Sequence, residues 1–318
     1  MAIEKLKEVV KQILPEVDVV IGYRQGFDPL HATPAFVTKP EQIDELIWNP
    51  LCVHNLTTYL PALAGKKKVG VVVKGCDSRT IIQFMQERLI DREKVKVIGV
   101  PCRGVISVKK VSDAVKHQII EAVSFNGENI TVKTRSGEQS FAVLDVAPEK
   151  CASCQVMTPL QVDCLAGEPI ESDRPEEKWF EDVRELEKQS LEERKAFWEE
   201  EFDKCIRCYA CRNACPLCVC QDHCIVESRD PHWVTQQADR TSKFMFHMIH
   251  GLHLAGRCTG CSECERVCPM DIPVAKIKKT INMELKELFG YVPGMNPDDK
   301  PPLYIFQVEE ATIKEHKL

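Results

Sequence analysis

Residues 67–104, KKVGVVVKGCDSRTIIQFMQERLIDREKVKVIGVPCRG, determine the fold class of the N-terminal half of the chain. KKVGVVVKG (67–75) and KVKVIGVP (94–101) are nearly continuous apolar runs, which is the pattern of strands buried in a parallel sheet. SRTIIQFMQERL (78–89), between them, has the apolar spacing of an amphipathic helix. The stretch therefore predicts a right-handed, parallel strand–helix–strand unit.

The sequence on either side of this unit extends it into an α/β domain that we place at residues 1–170. Apolar residues follow helical or strand spacing before the unit, and they alternate around a Ser-Gly turn after it. The fold class predicted for this half is a parallel sheet plus a hairpin. The individual elements are a helix over residues 3–14, a strand over 17–23, a short helix over 40–48 and a hairpin over 129–146.

The composition is that of an acidic globular protein with an unusual number of cysteines. The 318 residues carry a formal net charge of −6 and 44% are hydrophobic, which argues against disorder and against general nucleic-acid binding. No apolar run is long enough to span a bilayer and no signal peptide is recognised, so a cytoplasmic location is expected. In that setting, 17 cysteines indicate metal binding and not disulfide bonds.

Two cysteine motifs in the C-terminal half predict two 4Fe–4S clusters. CIRCYACRNACP (205–216) and CTGCSECERVCP (258–269) share the spacing C-x2-C-x2-C-x3-C-P. In such a motif the first three thiolates bind one cluster, whereas the fourth points away and binds the other cluster. Paired zinc knuckles are the alternative, but structural zinc sites generally take four local ligands in two pairs. The predicted ligands are Cys205, Cys208, Cys211 and Cys268 for the first cluster, and Cys258, Cys261, Cys264 and Cys215 for the second.

The interval between the motifs is longer than in compact bacterial ferredoxins and is helical in pattern over residues 231–257. With both motifs, it resembles the helical ferredoxin modules of heterodisulfide reductase C-subunits and of succinate dehydrogenase iron–sulfur subunits. The resemblance implies an all-α, two-cluster domain at residues 205–285 that passes single electrons between partner proteins. The interval contains the histidines His247, His250 and His253. We expect them to pack beside the clusters; the alternative is that they form a haem or metal site.

Four cysteines of the α/β domain predict a third 4Fe–4S cluster. Cys76 follows the first buried strand and Cys102 follows the second, and neighbouring parallel strands open on a common crevice at these ends. Cys151 and Cys154 follow the hairpin as a closely spaced pair. These four cysteines form the predicted set. The remaining cysteines of the domain, either of which could replace a member of the set, are Cys52 and Cys164.

Three more cysteines directly follow the first motif: Cys218, Cys220 and Cys224. One interpretation is that they are small buried hydrophobic residues. The other is that they are ligands of a further site, a fourth cluster, which would need one cysteine from elsewhere in the chain.

The cysteine-bearing segments of the α/β domain resemble a known family. VIGVPCRGVISVKK (97–110) looks like the GTPCQ…LRK stretch in the beta subunits of coenzyme F420-reducing hydrogenases and formate dehydrogenases. KCASCQVMTPLQVDCLAGEP (150–169) resembles the cysteine stretch that follows it in those subunits. The resemblance implies a domain that binds FAD and a 4Fe–4S cluster and exchanges electrons with a deazaflavin coenzyme. It assigns the cluster to Cys102, Cys151 and Cys154. Two departures from the family are the lack of a G-x-G-x-x-G fingerprint and a ferredoxin module that follows the α/β domain.

Two segments lie outside these domains, a charged helical connector at residues 171–204 and an extended C-terminal tail at residues 286–318. We expect the connector to be a solvated helix, the alternative being a docking surface for a partner. For the tail we expect a contact with a partner subunit, the alternative being that it folds back on its own ferredoxin module.

The combined pattern predicts an electron-transfer subunit, since no catalytic constellation of side chains is recognised. We expect it to pass electrons, in an anaerobic redox complex, from a catalytic formate dehydrogenase or hydrogenase subunit towards a heterodisulfide reductase-like flavoprotein subunit. One alternative is an FAD-containing subunit that itself reduces or oxidises coenzyme F420 or a nicotinamide. The other is a zinc-bearing scaffold or a redox-sensing regulator.

Overall fold

The computed structural model describes residues 2–220, 224–227, 233–235 and 237–305. In this part of the chain the strands are β1 (Val19–Gln25), β2 (Ala32–Val37), β3 (Val69–Val73), β4 (Val95–Gly99), β5 (Ile120–Asn126), β6 (Asn129–Thr134), β7 (Gly137–Ala142) and β8 (Cys164–Leu165). The helices are α1 (Ala2–Ile13), α2 (Leu60–Leu63), α3 (Gly75–Gln86), α4 (Val108–Ala114), α5 (Glu149–Ala152), α6 (Glu181–Glu187), α7 (Leu191–Asp203), α8 (Ala210–Ala214), α9 (Arg240–Leu252), α10 (Glu263–Arg266) and α11 (Val274–Phe289). Within these residues, no helix combines the length and the apolar character that crossing a bilayer requires.

A five-stranded sheet forms the centre of the N-terminal half, in the order β2-β1-β3-β4-β8. Strands β1, β3, β4 and β8 run parallel, and β2 pairs antiparallel with β1 at one edge. Val71 of β3 faces Val97 of β4 in register, and both side chains are fully buried. The strand–helix–strand unit predicted from the apolar runs is therefore confirmed, with α3 as its crossover helix.

Two elements at the β1 edge differ from the prediction. Strand β2 was not predicted, because Pro34 interrupts its pattern, and proline is accepted in a strand mainly at a sheet edge. Residues 40–48, predicted as a short helix, form only a 3-10 turn over Pro40–Glu45. The turn ends there because the Ile47 N–H bonds to the carbonyl oxygen of Tyr23 in β1, at 2.9 Å.

Strands β5, β6 and β7 form a second, antiparallel sheet. The predicted hairpin is confirmed as β6–β7, and it is closed by the pairing of Thr134 with Gly137. Strand β5 was not predicted, since most of its residues are exposed or half-buried and do not form a clear apolar face.

The connector, residues 171–204, is helical, but its apolar side is not solvated. Val183 of α6 is buried against Met283 of α11. Asp182, also in α6, forms an ion pair with Lys279 of α11. Helix α7 in turn packs on α9. The connector therefore supports the C-terminal helices from one side.

Buried polar contacts join the two halves of the chain. Arg257 donates through Nε and Nη2 to the two carboxylate oxygens of Glu87, at 2.8 and 2.5 Å. The side chain of Glu87 is only 3% exposed. Beside this pair, the hydroxyl groups of Thr80 and Thr259 lie 3.1 Å apart. Helix α3 therefore presents its polar residues to the segment that leads into the second cysteine motif.

The C-terminal tail folds back on α3 where the structure describes it. Arg79 donates through Nη2 to the carbonyl oxygen of Pro293 at 2.7 Å, and Gln86 donates through Nε2 to that of Asn296 at 2.8 Å. The described part of the tail therefore folds back on its own chain, chiefly on α3, and its Pro302 also approaches Gly256 of the ferredoxin module. The partner contact predicted for the tail from Phe289 onward stays a prediction: Tyr304 and Ile305 are exposed, and residues 306–318 lie outside the described residues.

Candidate metal centres

Both cysteine motifs adopt the same local backbone conformation. In each motif, the residues just before and just after the second cysteine have positive φ angles. These are Arg207 (52°) and Tyr209 (60°) in the first motif, and Gly260 (70°) and Ser262 (54°) in the second. Left-handed residues at these positions turn successive N–H groups to one side, which is the arrangement found at anion and iron–sulfur sites. In the first motif, the Arg207 N–H donates to Cys205 Sγ at 3.3 Å.

The four cysteines of the first predicted set line one small cavity: Cys205, Cys208, Cys211 and Cys268. Apolar side chains such as Phe246 and Ile272 close its walls. Burial raises the pKa of the Cys211 thiol to about 12, so the thiol has to give up a proton when it binds a metal at neutral pH. Cys268 comes from the second motif, and the structure therefore brings together the members of the set across the two motifs.

His247 of α9 also lines this cavity. Its ring stacks on Phe202 with centroids 4.5 Å apart, and burial lowers its pKa to about 4, so the ring is neutral. Within the described residues neither ring nitrogen has a hydrogen-bond partner. The expected packing of the histidines beside the cysteines is consistent with this arrangement, and an unpaired N–H beside the cavity fits a sulfur acceptor.

The second predicted set is likewise assembled across the motifs. Burial is the main cause that raises the pKa values of the Cys261 and Cys264 thiols to about 12, and the neighbouring Cys215 contributes to both. Cys215 has the same effect on Cys258. The structure thus brings Cys215 of the first motif to the three cysteines that open the second motif.

In neither set do the sulfurs converge on one point. No group of three or more His, Cys, Asp or Glu side chains in the described part of the chain is close enough together to hold a single metal ion. In a 4Fe–4S cluster each thiolate binds a different iron atom, so its four sulfurs surround a wider volume than those around one ion.

Lys278 of α11 is a residue of this region that was not predicted from the sequence. Its side chain is 2% exposed, and Nζ lies 3.6 Å from Cys264 Sγ. Burial alone would lower the pKa of Lys278, but the surrounding thiolates more than compensate and raise it. The sequence does contain a signal, since a lysine four residues after buried Val274 falls on the apolar face of the helix.

The third predicted set lines a cavity of about 400 Å³ between the two halves of the chain: Cys76, Cys102, Cys151 and Cys154. Cys76 lies in the first turn of α3, which approaches the loop after α5 closely. Gly75 makes this approach possible, because a Cβ atom there would lie 1.8 Å from the Val156 carbonyl oxygen. Burial, with Cys151 beside it, raises the pKa of Cys102 to about 12.

The two remaining cysteines of the α/β domain lie elsewhere. Cys52 is buried and its thiol points to the Ile47 carbonyl oxygen at 3.8 Å. Cys164 lies in β8, where it pairs with Ile98 of β4. The structure therefore groups the four cysteines predicted for the third set and separates them from Cys52 and Cys164.

The 400 Å³ cavity also connects the third set to the second. Cys258 lines it together with the four cysteines of the third set. Lys150, directly before Cys151, donates through Nζ to the backbone carbonyl oxygen of Cys261. Arg79 and Trp179 form another part of the wall, and the Arg79 guanidinium lies 5.1 Å from the centre of the Trp179 ring.

The three cysteines after the first motif lie around the side chain of Arg212. Cys218 lies beside Cys215, and its Sγ is 3.4 Å from His250 Nε2. Cys224 is buried beside Arg212, and Cys220 is exposed near it. Residues 221–223, which connect these two cysteines, lie outside the described residues. Cys218 therefore lies next to Cys215 of the second set, and the fourth cluster remains a prediction.

The fold and its cysteines define an iron–sulfur protein in which an α/β domain is followed by a cysteine-rich helical domain. Residues 200–272 match the family described as 4Fe-4S dicluster domain, which supports iron–sulfur clusters over the zinc alternative. Residues 66–180 match the family described as the C terminus of the coenzyme F420 hydrogenase/dehydrogenase beta subunit. Over residues 66–180 the chain is therefore similar to this beta-subunit family.

Curated relatives match across both domains. The F420-dependent formate dehydrogenase subunit beta of Methanocaldococcus jannaschii is 26% identical over 352 aligned positions, which cover 91% of this chain and 90% of the relative. The F420-dependent formate dehydrogenase 1 subunit beta of Methanococcus maripaludis is 25% identical, with 90% and 88% covered. A chain of the F420-reducing NiFe hydrogenase complex of Methanosarcina barkeri is 17% identical, with a TM-score of 0.40, 58% of this chain covered and 75% of that chain.

Proposed function

We propose that the chain is the iron–sulfur electron-transfer subunit of an anaerobic redox complex. In this proposal it passes electrons between a catalytic formate dehydrogenase or hydrogenase subunit and a heterodisulfide reductase-like partner. The names of the two relatives support the first partner, because both are formate dehydrogenase beta subunits. The second partner rests on the resemblance of the helical module to heterodisulfide reductase C-subunits.

The proposed centres are three 4Fe–4S clusters, which take up and release single electrons when bound. The chain contributes the ligands, a dry environment and donors to sulfur, such as the Arg207 N–H. The proposed ligand sets are Cys205, Cys208, Cys211 and Cys268; Cys258, Cys261, Cys264 and Cys215; and Cys76, Cys102, Cys151 and Cys154.

The succession of the three cysteine sets carries the proposal. The third set and Cys258 share one cavity, so the second set adjoins the third. Lys278 lies among the thiols of the second set and near Cys211 of the first. Cys208 is exposed, and the neighbouring Ile206 has 59% of its surface exposed. In this order, electrons that enter at the cavity leave at Cys208, where we propose that a partner subunit docks.

A second candidate function is that of an FAD-containing subunit that itself reduces or oxidises coenzyme F420 or a nicotinamide. It is favoured by basic and aromatic residues that line the 400 Å³ cavity beside the cysteines. Arg79, Lys276 and Lys279 bring three positive charges there. The single carboxylate of Asp182 pairs with both lysines, and the remaining excess of positive charge suits a pyrophosphate. Trp179 supplies an aromatic face that suits a flavin ring. These side chains fit the group that the family resemblance implies.

Anaerobic purification of the intact complex tests both functions. For the relay we expect about 12 iron atoms per chain, since each 4Fe–4S cluster holds four. We also expect a catalytic formate dehydrogenase- or hydrogenase-type subunit and a heterodisulfide reductase-like subunit to co-purify. Flavin absorbance in the isolated chain would favour the second candidate. A chain without iron, or one that purifies alone, would contradict the relay.

A further inference from the structure

Lys278 is a buried cation whose surroundings differ from those of buried Lys74 and half-buried Lys150. The ammonium group of Lys74 lies 2.8 Å from the Asp77 carboxylate, and that of Lys150 bonds to the backbone oxygen of Cys261. For Lys278, the hydrogen-bond acceptor that the described residues provide is the sulfur of Cys264, at 3.6 Å. No carboxylate in the described part of the chain lies within ion-pair distance of its Nζ.

An ammonium group in such a place is costly without a negative partner, because burial removes its hydration. The groups around Lys278 that become negative are cysteines of both proposed sets, since a cysteine binds a cluster as its thiolate. Ranked by how strongly each raises the pKa of Lys278, they are Cys264, Cys258, Cys215 and Cys211. Three of these four belong to the second set, and the last belongs to the first.

Helix α11 holds this lysine on its core side. Val274 and Ile277 are buried on that side, where a helix of this kind normally carries apolar residues. Asn282, one turn after Lys278, donates to the backbone oxygen of Cys258 at 2.7 Å and fixes the helix against the second motif. The position of the cation is therefore set by the packing of the helix, and the side chain is not free to move to solvent.

We infer that Lys278 is the fixed countercharge of the two clusters of the helical domain, and that it raises the reduction potential of the second cluster more than that of the first. Reduction adds one negative charge to a cluster. A cation held close by in a water-poor environment stabilises the reduced form. The second cluster gains more, because the sulfur that Lys278 contacts, that of Cys264, and three of the four neighbouring cysteines are its proposed ligands. This inference rests on the clusters of the proposed function.

Substitution of Lys278 in the full chain tests the inference. Lys278→Met removes the charge with a similar volume, and Lys278→Arg keeps it. Lys286→Met is the matched control, because it removes the same charge about two turns further along the same helix, where Lys286 pairs with exposed Glu176. The proteins are purified without oxygen, their iron is counted, and both midpoint potentials are measured by EPR-monitored redox titration.

For Lys278→Met we expect full iron content and more negative potentials, with the larger shift in the second cluster. Lys278→Arg should keep both potentials near those of the unmodified chain, and Lys286→Met should shift neither. Unchanged potentials in an iron-replete Lys278→Met protein would overturn the inference, and so would a larger shift in the first cluster.

If Lys278→Met loses iron, the other variants decide. Loss of iron in Lys278→Met and Lys278→Gln, with retention in Lys278→Arg, supports the need for the charge. Loss in Lys278→Arg as well would make Lys278 a packing residue and would overturn the inference. The proposed function fails separately, namely if the unmodified chain binds no iron.

Discussion

Lys150, at the start of the third cysteine set, donates a hydrogen bond to the backbone carbonyl oxygen of Cys261 in the second set. Lys150 is bonded directly to Cys151, so one residue and one hydrogen bond separate cysteines of the two sets. The contact also joins α5 of the α/β domain to the second motif, which lie more than 100 positions apart in the sequence. The junction between the two domains is therefore also the junction between the two proposed clusters.

Replacement of Lys150 by methionine is expected to make the third cluster harder to reduce. The ammonium group lies beside Cys76 and Cys151, where it stabilises negative charge. Its loss should shift the midpoint potential of that cluster negatively, by on the order of 50–100 mV, and leave the first cluster unchanged. EPR-monitored redox titration of the full chain measures both. Lys110→Met is the control, since Lys110 also binds a backbone oxygen, that of Ala147, away from the thiols. Equal shifts in the two variants would contradict the role of Lys150.

Serine substitutions at the last cysteine of each motif test the exchange of ligands between motifs. Cys215 lies with the cysteines that open the second motif, and Cys268 with those that open the first. Cys215→Ser should therefore weaken or remove the reduced-state EPR signal of the second cluster and largely spare the first. Cys268→Ser should do the opposite. If each substitution instead damaged the cluster of its own motif, the assignment across motifs would be wrong.

The local patterns of the sequence were sufficient for the centre of the sheet and for the predicted grouping of cysteines. β3, α3 and β4 follow from hydrophobic periodicity alone, because each is set by its own residues. The grouping of Cys76 with Cys102 follows from one topological rule, namely that neighbouring parallel strands end at the same edge. Cys215 and Cys268 could be assigned across the motifs because their spacing fixes the direction of the fourth thiol.

The contacts between distant parts of the chain could not be predicted in this way. The bond from Arg79 to the Pro293 carbonyl oxygen joins two segments whose local sequences do not specify each other. The burial of Lys278 depends on where α11 docks, although its position on the apolar face was visible in the sequence. Strand β2 was hidden by Pro34, whose effect depends on whether the strand lies at an edge.

The ion pair of Arg257 and Glu87 is expected to contribute to the stability of the domain junction. Arg257→Met leaves the Glu87 carboxylate buried without its partner, so the free energy of unfolding should fall by ~3 kcal/mol. Urea denaturation of the iron-loaded protein without oxygen measures this change. Addition of Glu87→Gln to the variant should restore part of the loss, because it removes the uncompensated charge.

The exposed pair of Arg184 and Glu287 provides a control for this experiment. Arg184→Met should lower the free energy of unfolding by no more than about 1 kcal/mol, since a solvated ion pair contributes little. If Arg257→Met had an effect as small as this control, the Glu87 contact would not stabilise the junction.

His54 is expected to make the α/β domain less stable in mild acid. Burial, together with the positive charge of Arg266, lowers its pKa to about 4, whereas an unfolded histidine has a pKa near ~6.5. Between these values the unfolded chain binds a proton that the folded chain does not, so stability is lost as the pH falls from about 6.5 towards about 4.

His54→Gln cannot take up this proton, so its loss of stability between pH 7 and pH 5 should be smaller. Urea denaturation measures this loss, with the iron content checked at each pH. Part of the loss should remain, because His247 and His250 also have lowered pKa values. His117→Gln, at a largely exposed histidine, should keep the full pH dependence, and a His54→Gln protein that did the same would show that His54 does not cause the effect.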